Sequence, residues 1–168
     1  MLERPCPECG FVASAFPREQ VGAMLRENAA EWQRLLASPN VARRPADDVW
    51  STLEYACHVR DVCHLYDERL VLMLTHDDPA YPNWDQDQSA VDDRYAEHDP
   101  AVVGPELAVA AAQLADRFDR VTGTQWDRTG TRSDGARFTV DSFARYFIHD
   151  LIHHVHDVEP GKASFSSG

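Results

Sequence analysis

The sequence is short of basic residues and of long apolar runs. Its 168 residues include 28 acidic and 16 basic side chains, which gives a formal net charge of −12. Nucleic acids are bound through patches of Lys and Arg, so this balance argues against a nucleic-acid partner. No apolar run reaches the roughly 18 residues of a membrane span, and the first residues lack a basic-then-apolar signal peptide. We therefore expect a cytoplasmic protein that binds neither nucleic acid nor a membrane.

Hydrophobic residues make up 43% of the chain, which is enough for one domain with a buried core. Apolar residues recur at three- and four-residue steps, and this spacing predicts four long helices, over residues 17–37, 52–74, 105–121 and 140–158. A shorter helix is predicted around residues 90–97. The turn signal Ser133-Asp134-Gly135 predicts a small hairpin or a plain loop. Four long helices predict an all-α four-helix bundle.

The chain is predicted to divide into three parts. These are an irregular N-terminal extension with two cysteines over residues 1–16, the bundle over residues 17–160, and a disordered tail over residues 161–168. The second long helix has the most specific start signal, because Ser51 and Glu54 match a capping box.

Half of the eight histidines lie within eight residues near the C-terminal end. On a helical wheel His149, His153 and His156 share one face, and Asp150 and His154 form a second i,i+4 pair about 100° further round. Two imidazoles at this spacing can bind one cation. The alternative is a merely polar helix end, because cationic imidazoles suit the C-terminal dipole.

A further histidine, His58, lies about ninety residues upstream on the apolar face of the second long helix. A histidine on an apolar face is most often a core residue with a hydrogen bond. In a bundle, however, facing helices build metal sites from such residues. Three neutral imidazoles that leave a position open for water are typical of a catalytic metal site.

The segments around these histidines resemble the DinB superfamily, which includes the YfiT-like proteins. The segment WSTLEYACHVRD at residues 50–61 is similar to its Trp-Ser/Thr…Glu…His motif, and YFIHDLIHH at residues 146–154 is similar to its closing His-x-x-x-His helix. The resemblance implies an up-down-down-up four-helix bundle, commonly a homodimer, in which three histidines bind a divalent metal, usually zinc or nickel. Carried over to this chain, the ligands are His58, His149 and His153.

The resemblance also implies a class of reaction. Relatives include mycothiol-dependent maleylpyruvate isomerase and bacillithiol or other thiol S-transferases. We therefore expect a metal that activates a low-molecular-weight thiol, such as mycothiol or bacillithiol, for S-transfer to an electrophile or for isomerisation. The alternatives are hydrolysis by a metal-bound hydroxide, as the YfiT branch implies, and a non-catalytic metal-binding protein of the stress response.

Two features differ from the family pattern. The isomerase branch has Glu as the first member of the last-helix pair, where this chain has His149. The doubled His153-His154 leaves the register open, because Asp150 and His154 have the same spacing as His149 and His153. The second pair is preferred because it completes a set of three histidines. Asp157 is then a candidate for a carboxylate that orients an imidazole.

Cys6 and Cys9 lie in the segment CPECG, which is one half of a zinc knuckle, and the sequence contains no second half. Three hypotheses remain open: free thiols on a turn, a metal site completed by a histidine or a second subunit, and a local redox disulfide. Cys57 and Cys63 are expected to pack as small buried apolar side chains.

Overall fold

The computed structural model describes residues 3–159, and the tail predicted at residues 161–168 lies outside this range. The described part contains five α-helices, α1 (Val21–Leu36), α2 (Thr52–Thr75), α3 (Gln86–Asp92), α4 (Pro100–Asp119) and α5 (Val140–Val158). Short 3₁₀ turns occur at Ala13–Ala15, Arg18–Gln20, Tyr95–Glu97 and Gly123–Asp127.

The four long helices form the predicted four-helix bundle. Helix α4 packs against both α1 and α2, and α5 packs mainly against α1. One cluster of buried apolar side chains runs through all four helices and includes Trp32, Leu53, Leu114 and Phe147. Removal of this surface from water is the main force that holds the bundle together. No helix within residues 3–159 is long and apolar enough to cross a membrane.

A small sheet lies beside the bundle. Its strands are β1 (Ala80–Tyr81), β2 (Thr129–Arg132) and β3 (Arg137–Thr139). Strands β2 and β3 form an antiparallel hairpin around the predicted turn, and β1 pairs in parallel with β2. Gly135 in the turn has a φ of 90°, a conformation that glycine adopts without strain. Of the two alternatives for this segment, the hairpin is the one observed.

Helix α2 begins where the sequence predicts. The Ser51 hydroxyl accepts a hydrogen bond from the Glu54 amide at 3.2 Å, and the Glu54 carboxylate accepts one from the Ser51 amide at 2.8 Å. Arg44 pairs with the same carboxylate at 2.6 Å, so that a buried charge is balanced. Glu54 precedes His58 by one helical turn, and this cap therefore fixes the end of α2 that carries His58.

Helix α4 begins at Pro100, earlier than the start predicted at Pro105. The Asp99 carboxylate accepts a hydrogen bond from the Ala101 amide at 2.9 Å, and Pro100 takes the first turn, where its missing N–H is not needed. Pro105 therefore lies inside the helix. Both prolines suit a first turn, and the helix starts at the one that follows a capping aspartate.

The short helix predicted around residues 90–97 is split in two. Helix α3 ends at Asp92, and Arg94 has a φ of 50°, which interrupts the helix before the 3₁₀ turn at Tyr95–Glu97. A non-glycine residue in the left-handed region cannot continue a right-handed helix.

The N-terminal extension lies against α5. The Arg145 guanidinium donates hydrogen bonds to the backbone carbonyls of Ala13, Ser14 and Phe16. Ala13 and Phe16 are also buried. One charged side chain of α5 thus binds the end of the extension where the chain approaches α1.

Candidate metal centres

His58 of α2 and His154 of α5 meet between the two helices. Their Nε2 atoms are 3.1 Å apart, and the two rings are nearly perpendicular, at 85°. Asp150, one turn before His154, places a carboxylate oxygen 3.4 Å from the His154 Nε2 atom. The three residues offer ligand atoms that all lie within 4.8 Å of one another. We call them the His58 group.

The separations in the His58 group suit the ligands of one small cation. Atoms bound at 2.0–2.2 Å around a tetrahedral zinc ion lie roughly 3.3–3.5 Å apart. The two contacts in the group are 3.1 Å and 3.4 Å. Two imidazoles and one carboxylate are also a ligand set of catalytic zinc sites, in which a fourth position stays open. The residues present therefore fit a divalent cation.

His58 is held in a buried aromatic pocket. Its ring stacks on Trp84 with the ring centres 5.4 Å apart, contacts Trp50 at the same distance, and is 1% exposed. Burial, together with the neighbouring His154, lowers the pKa of His58 to about 4. The imidazole is therefore neutral at pH 7, and its lone pair is available to a cation. Its Nδ1 atom is buried and has no hydrogen-bond partner within residues 3–159, so packing rather than hydrogen bonding orients the ring.

Two carboxylates set the charge and orientation of His154. Burial alone would lower the pKa of His154, but hydrogen bonds to Asp150 and Asp157 outweigh this effect and raise it to about 9. The Nδ1 atom of His154 lies 3.5 Å from an Asp157 oxygen, which leaves Nε2 directed at His58 and Asp150. A carboxylate on the second ring nitrogen is typical of metal-binding histidines.

His149 and His153 belong to a second group, with Cys6 and Cys9 of the N-terminal extension. The four ligand atoms lie within 4.8 Å of one another. The Cys6 sulfur is 3.8 Å from the Nδ1 atom of His153. We call these four residues the Cys6 group. It shares no residue with the His58 group.

The structure thus divides the predicted ligand set of His58, His149 and His153 between two groups. His58 lies with Asp150 and His154, the pair that the sequence left as the alternative register. His149 and His153 lie with Cys6 and Cys9, for which a metal site completed by a histidine was one of the three hypotheses.

The rotation of α5 explains this division. Phe147, Ile148 and Leu151 are buried in the bundle. On the helix, positions 150 and 154 border this buried face, whereas positions 149 and 153 lie nearly opposite to it. The first pair therefore reaches α2, and the second pair lies on the side that the N-terminal extension covers.

Two cavities border Asp150. The smaller has a volume of about 110 Å³ and is also lined by His58, Arg69 and Arg132. The larger has a volume of about 500 Å³ and lies beside the Cys6 group. Tyr146 and Asp150 line both cavities. The His58 group is thus next to space that a small molecule can occupy.

Cys57 and Cys63 are fully buried, as the sequence predicts. Burial raises the pKa of each thiol to about 12. Both are inert at neutral pH, since the thiolate is the reactive and metal-binding form.

The architecture and the two groups define a class of protein, a four-helix bundle with a histidine–carboxylate group between its second and last long helices. Residues 24–158 match the family model of the DinB superfamily, and the chain belongs to that superfamily. This confirms the resemblance seen in the sequence.

A solved structure with a similar fold is YfiT from Bacillus subtilis, described as a probable metal-dependent hydrolase with an unusual four-helix bundle topology. The TM-score is 0.78 and the sequence identity 16%, over 84% of this chain and 83% of that chain. At this identity the likeness concerns the fold alone. No curated protein matches the sequence at a significant level.

Proposed function

We propose that this protein is a metal-dependent hydrolase whose divalent cation is held by His58, Asp150 and His154. The convergence of two imidazoles and one carboxylate beside a cavity carries the proposal. This ligand set is that of hydrolytic zinc enzymes with an open coordination position. The similarity in fold to YfiT, described as a probable metal-dependent hydrolase, supports the same class of reaction.

The residues around the cation have distinct roles in this proposal. When bound, the cation would act as a Lewis acid and lower the pKa of the attacking water. His58 offers a neutral imidazole that Trp84 keeps in place by stacking. Asp150 offers the negative charge of the set, and Asp157 keeps the Nε2 atom of His154 directed at the site.

The smaller cavity indicates an anionic group on the substrate. Arg69 lines it, is 5% exposed, and donates from Nη2 to the Pro82 carbonyl at 2.7 Å. Its Nε atom is buried and has no hydrogen-bond partner in the described part of the chain. Arg132 lines the same cavity, but its guanidinium already pairs with Asp134 at 2.7 Å, so Arg69 is the candidate partner of the anion. A carboxylate or phosphate would satisfy the buried guanidinium, and charge-assisted hydrogen bonds of this kind are the strong ones. We therefore expect a substrate with such a group near the bond that is hydrolysed.

Thiol transfer is the second candidate function, and the larger cavity favours it. Its volume of about 500 Å³ lies in the range of small-molecule sites, and Asp150 and Tyr146 line it. A low-molecular-weight thiol such as mycothiol or bacillithiol has room there. Zinc or nickel would then lower the pKa of the thiol instead of that of water.

A substrate panel with metal-loaded protein tests both candidates. The panel contains carboxylate- and phosphate-bearing esters and amides, and calorimetric titrations with mycothiol, bacillithiol and coenzyme A accompany it. Hydrolysis that is lost in His58→Ala and kept in His64→Ala supports the proposal, because His64 is an exposed residue of the same helix. Saturable heat with a thiol, without hydrolysis, would make thiol transfer the function. Metal binding without either result would favour the non-catalytic alternative.

A further inference from the structure

The Cys6 group takes no part in the reaction proposed above, yet its residue types and placement suit a metal. We propose that Cys6, Cys9, His149 and His153 hold a second, structural zinc ion that fastens the N-terminal extension to α5. Two sulfurs and two imidazole nitrogens form a closed tetrahedral set, the pattern of structural zinc sites. Their ligand atoms lie within 4.8 Å of one another although the residues are far apart in the chain.

The backbone around the two cysteines supports a metal-binding turn. The Cys6 amide donates to the Phe11 carbonyl at 2.9 Å, and the Gly10 amide donates to the Cys6 carbonyl at 2.8 Å. Gly10 has a φ of 74°, a left-handed conformation that favours glycine. The turn returns the chain on itself and brings the Cys9 sulfur close to the Cys6 sulfur.

The two ring nitrogens of His153 face different partners, as they do in a metal-bound histidine. Its Nδ1 atom is directed at the Cys6 sulfur, 3.8 Å away. Its Nε2 atom lies 3.0 Å from a Glu8 carboxylate oxygen and 3.5 Å from an Asp157 oxygen. A carboxylate on the far nitrogen fixes the orientation and the tautomer of a ligating imidazole.

His149 adds an independent observation. Its ring stacks on Phe11, with the ring centres 5.8 Å apart and the planes 14° from parallel. Its Nε2 atom is buried and lacks a hydrogen-bond partner within residues 3–159. Buried polar atoms are rarely left unpaired, and coordination would give this ring a strong partner.

The location of the Cys6 group suggests what the ion does. Arg4, Pro5 and Cys6 form part of the wall of the larger cavity, which Asp150 lines on the α5 side. Zinc would hold this wall in place. The second ion therefore shapes access to the His58 group without taking part in the chemistry there.

Cobalt substitution tests this inference. Cobalt bound by two thiolates gives a sulfur-to-metal charge-transfer band in the near ultraviolet, which the His58 group cannot give because it contains no sulfur. Wild-type protein saturated with Co²⁺ is expected to show this band and to bind two ions per chain. Cys9→Ser is expected to lose the band and one ion, with unchanged helical circular dichroism.

Three further variants make the result unambiguous. Cys63→Ala removes a thiol outside the group and should keep the band. His58→Ala should keep the band while it loses the other ion, so that failure of this inference is distinguishable from failure of the proposed function. Cys6→Ser, analysed for zinc content, gives a second reading that does not depend on cobalt. A wild-type spectrum without the band, or a band of full intensity in Cys9→Ser, would overturn the inference.

Discussion

The His58 group and the Cys6 group both contain neighbouring residues of α5, but the rest of each group comes from a different kind of segment. The His58 group joins two long helices of the bundle, and one of its imidazoles is fully buried between aromatic rings. The Cys6 group joins α5 to an irregular segment that is shaped by turns. Groups on rigid elements with an open side suit catalysis, whereas a closed set of four protein ligands suits a structural role. Adjacent histidines can thus serve different purposes because of the segments that they face.

Asp157 connects the two groups. One carboxylate oxygen lies 3.5 Å from the Nε2 atom of His153, and the other lies 3.5 Å from the Nδ1 atom of His154. The same carboxylate therefore orients an imidazole in each group. Because they share this carboxylate, the two groups are not fully independent of each other.

Substitutions in the two i,i+4 pairs of α5 should affect hydrolysis very differently, and this is the largest difference that we expect. Asp150→Ala should lower hydrolysis by more than about 100-fold, because a direct ligand is lost and even outer partners of a ligand contribute 10–100-fold. His149→Ala should lower hydrolysis by about tenfold at most, through a looser cavity wall. Steady-state rates and metal content of both variants test this, with His64→Ala as the control. Loss of the His58-dependent ion in His149→Ala, with Asp150→Ala unaffected, would restore the set of His58, His149 and His153.

The next effect concerns the shared carboxylate. Asp157→Asn should weaken metal binding at both groups by about 10–100-fold, since it removes the one carboxylate that contacts both His153 and His154. Competition with a chromophoric chelator measures the two affinities. Asp116→Asn, a change on the exposed side of α4, is the matched control. An effect at one group alone would show that Asp157 does not link them.

A smaller effect is expected in the cavity beside the His58 group. Arg69→Met keeps the aliphatic stem but removes the guanidinium, and KM for an anionic substrate should rise about tenfold while kcat changes little. The measurement compares this substrate with its neutral analogue. Equal changes in KM for both substrates would argue against Arg69 as the partner of a carboxylate or phosphate.

The smallest effect concerns the cap that supports His58. Burial would raise the pKa of Glu54, but Arg44 and Ser51 outweigh it and lower the pKa. The ionised Glu54 carboxylate therefore stabilises the folded protein at pH values above its unfolded pKa of about 4.3. This contribution is lost as the pH falls through the pKa that Glu54 has in the folded protein. Glu54→Gln should lower the free energy of unfolding at pH 7 by about 1 kcal/mol, since Arg44 is partly exposed and solvent screens the pair.

Urea titrations at a series of pH values measure this difference. The stabilities of wild-type protein and Glu54→Gln should converge as the pH falls below the folded pKa of Glu54. A constant difference at every pH would mean that the glutamine disturbs packing rather than charge.

Most of the fold could be predicted because its signals are local. Apolar periodicity predicts the long helices, the Ser51–Glu54 box predicts the start of α2, and the Ser133-Asp134-Gly135 turn predicts a hairpin. The start of α4 is ambiguous in the sequence because two prolines compete for a first turn. The pairing of β1 with β2 has no local signal, because it joins segments far apart in the chain.

The candidate site was predictable only in part. The sequence predicts that His58 and a spaced pair of α5 bind a metal, but a helical wheel does not tell which pair faces α2. The centre of the buried face of α5, at Phe147 and Leu151, was the available signal, since positions 150 and 154 border it. The meeting of Cys6 with His153 depends on how the extension folds back, and no local pattern contains that information.

We propose that neighbouring histidines of α5 serve two separate metal ions. Anomalous diffraction at the zinc absorption edge, from crystals of zinc-loaded protein, tests this proposal. Two peaks are expected, one among His58, Asp150 and His154, and one among Cys6, Cys9, His149 and His153. A single peak coordinated by His58 together with His149 and His153 would contradict it.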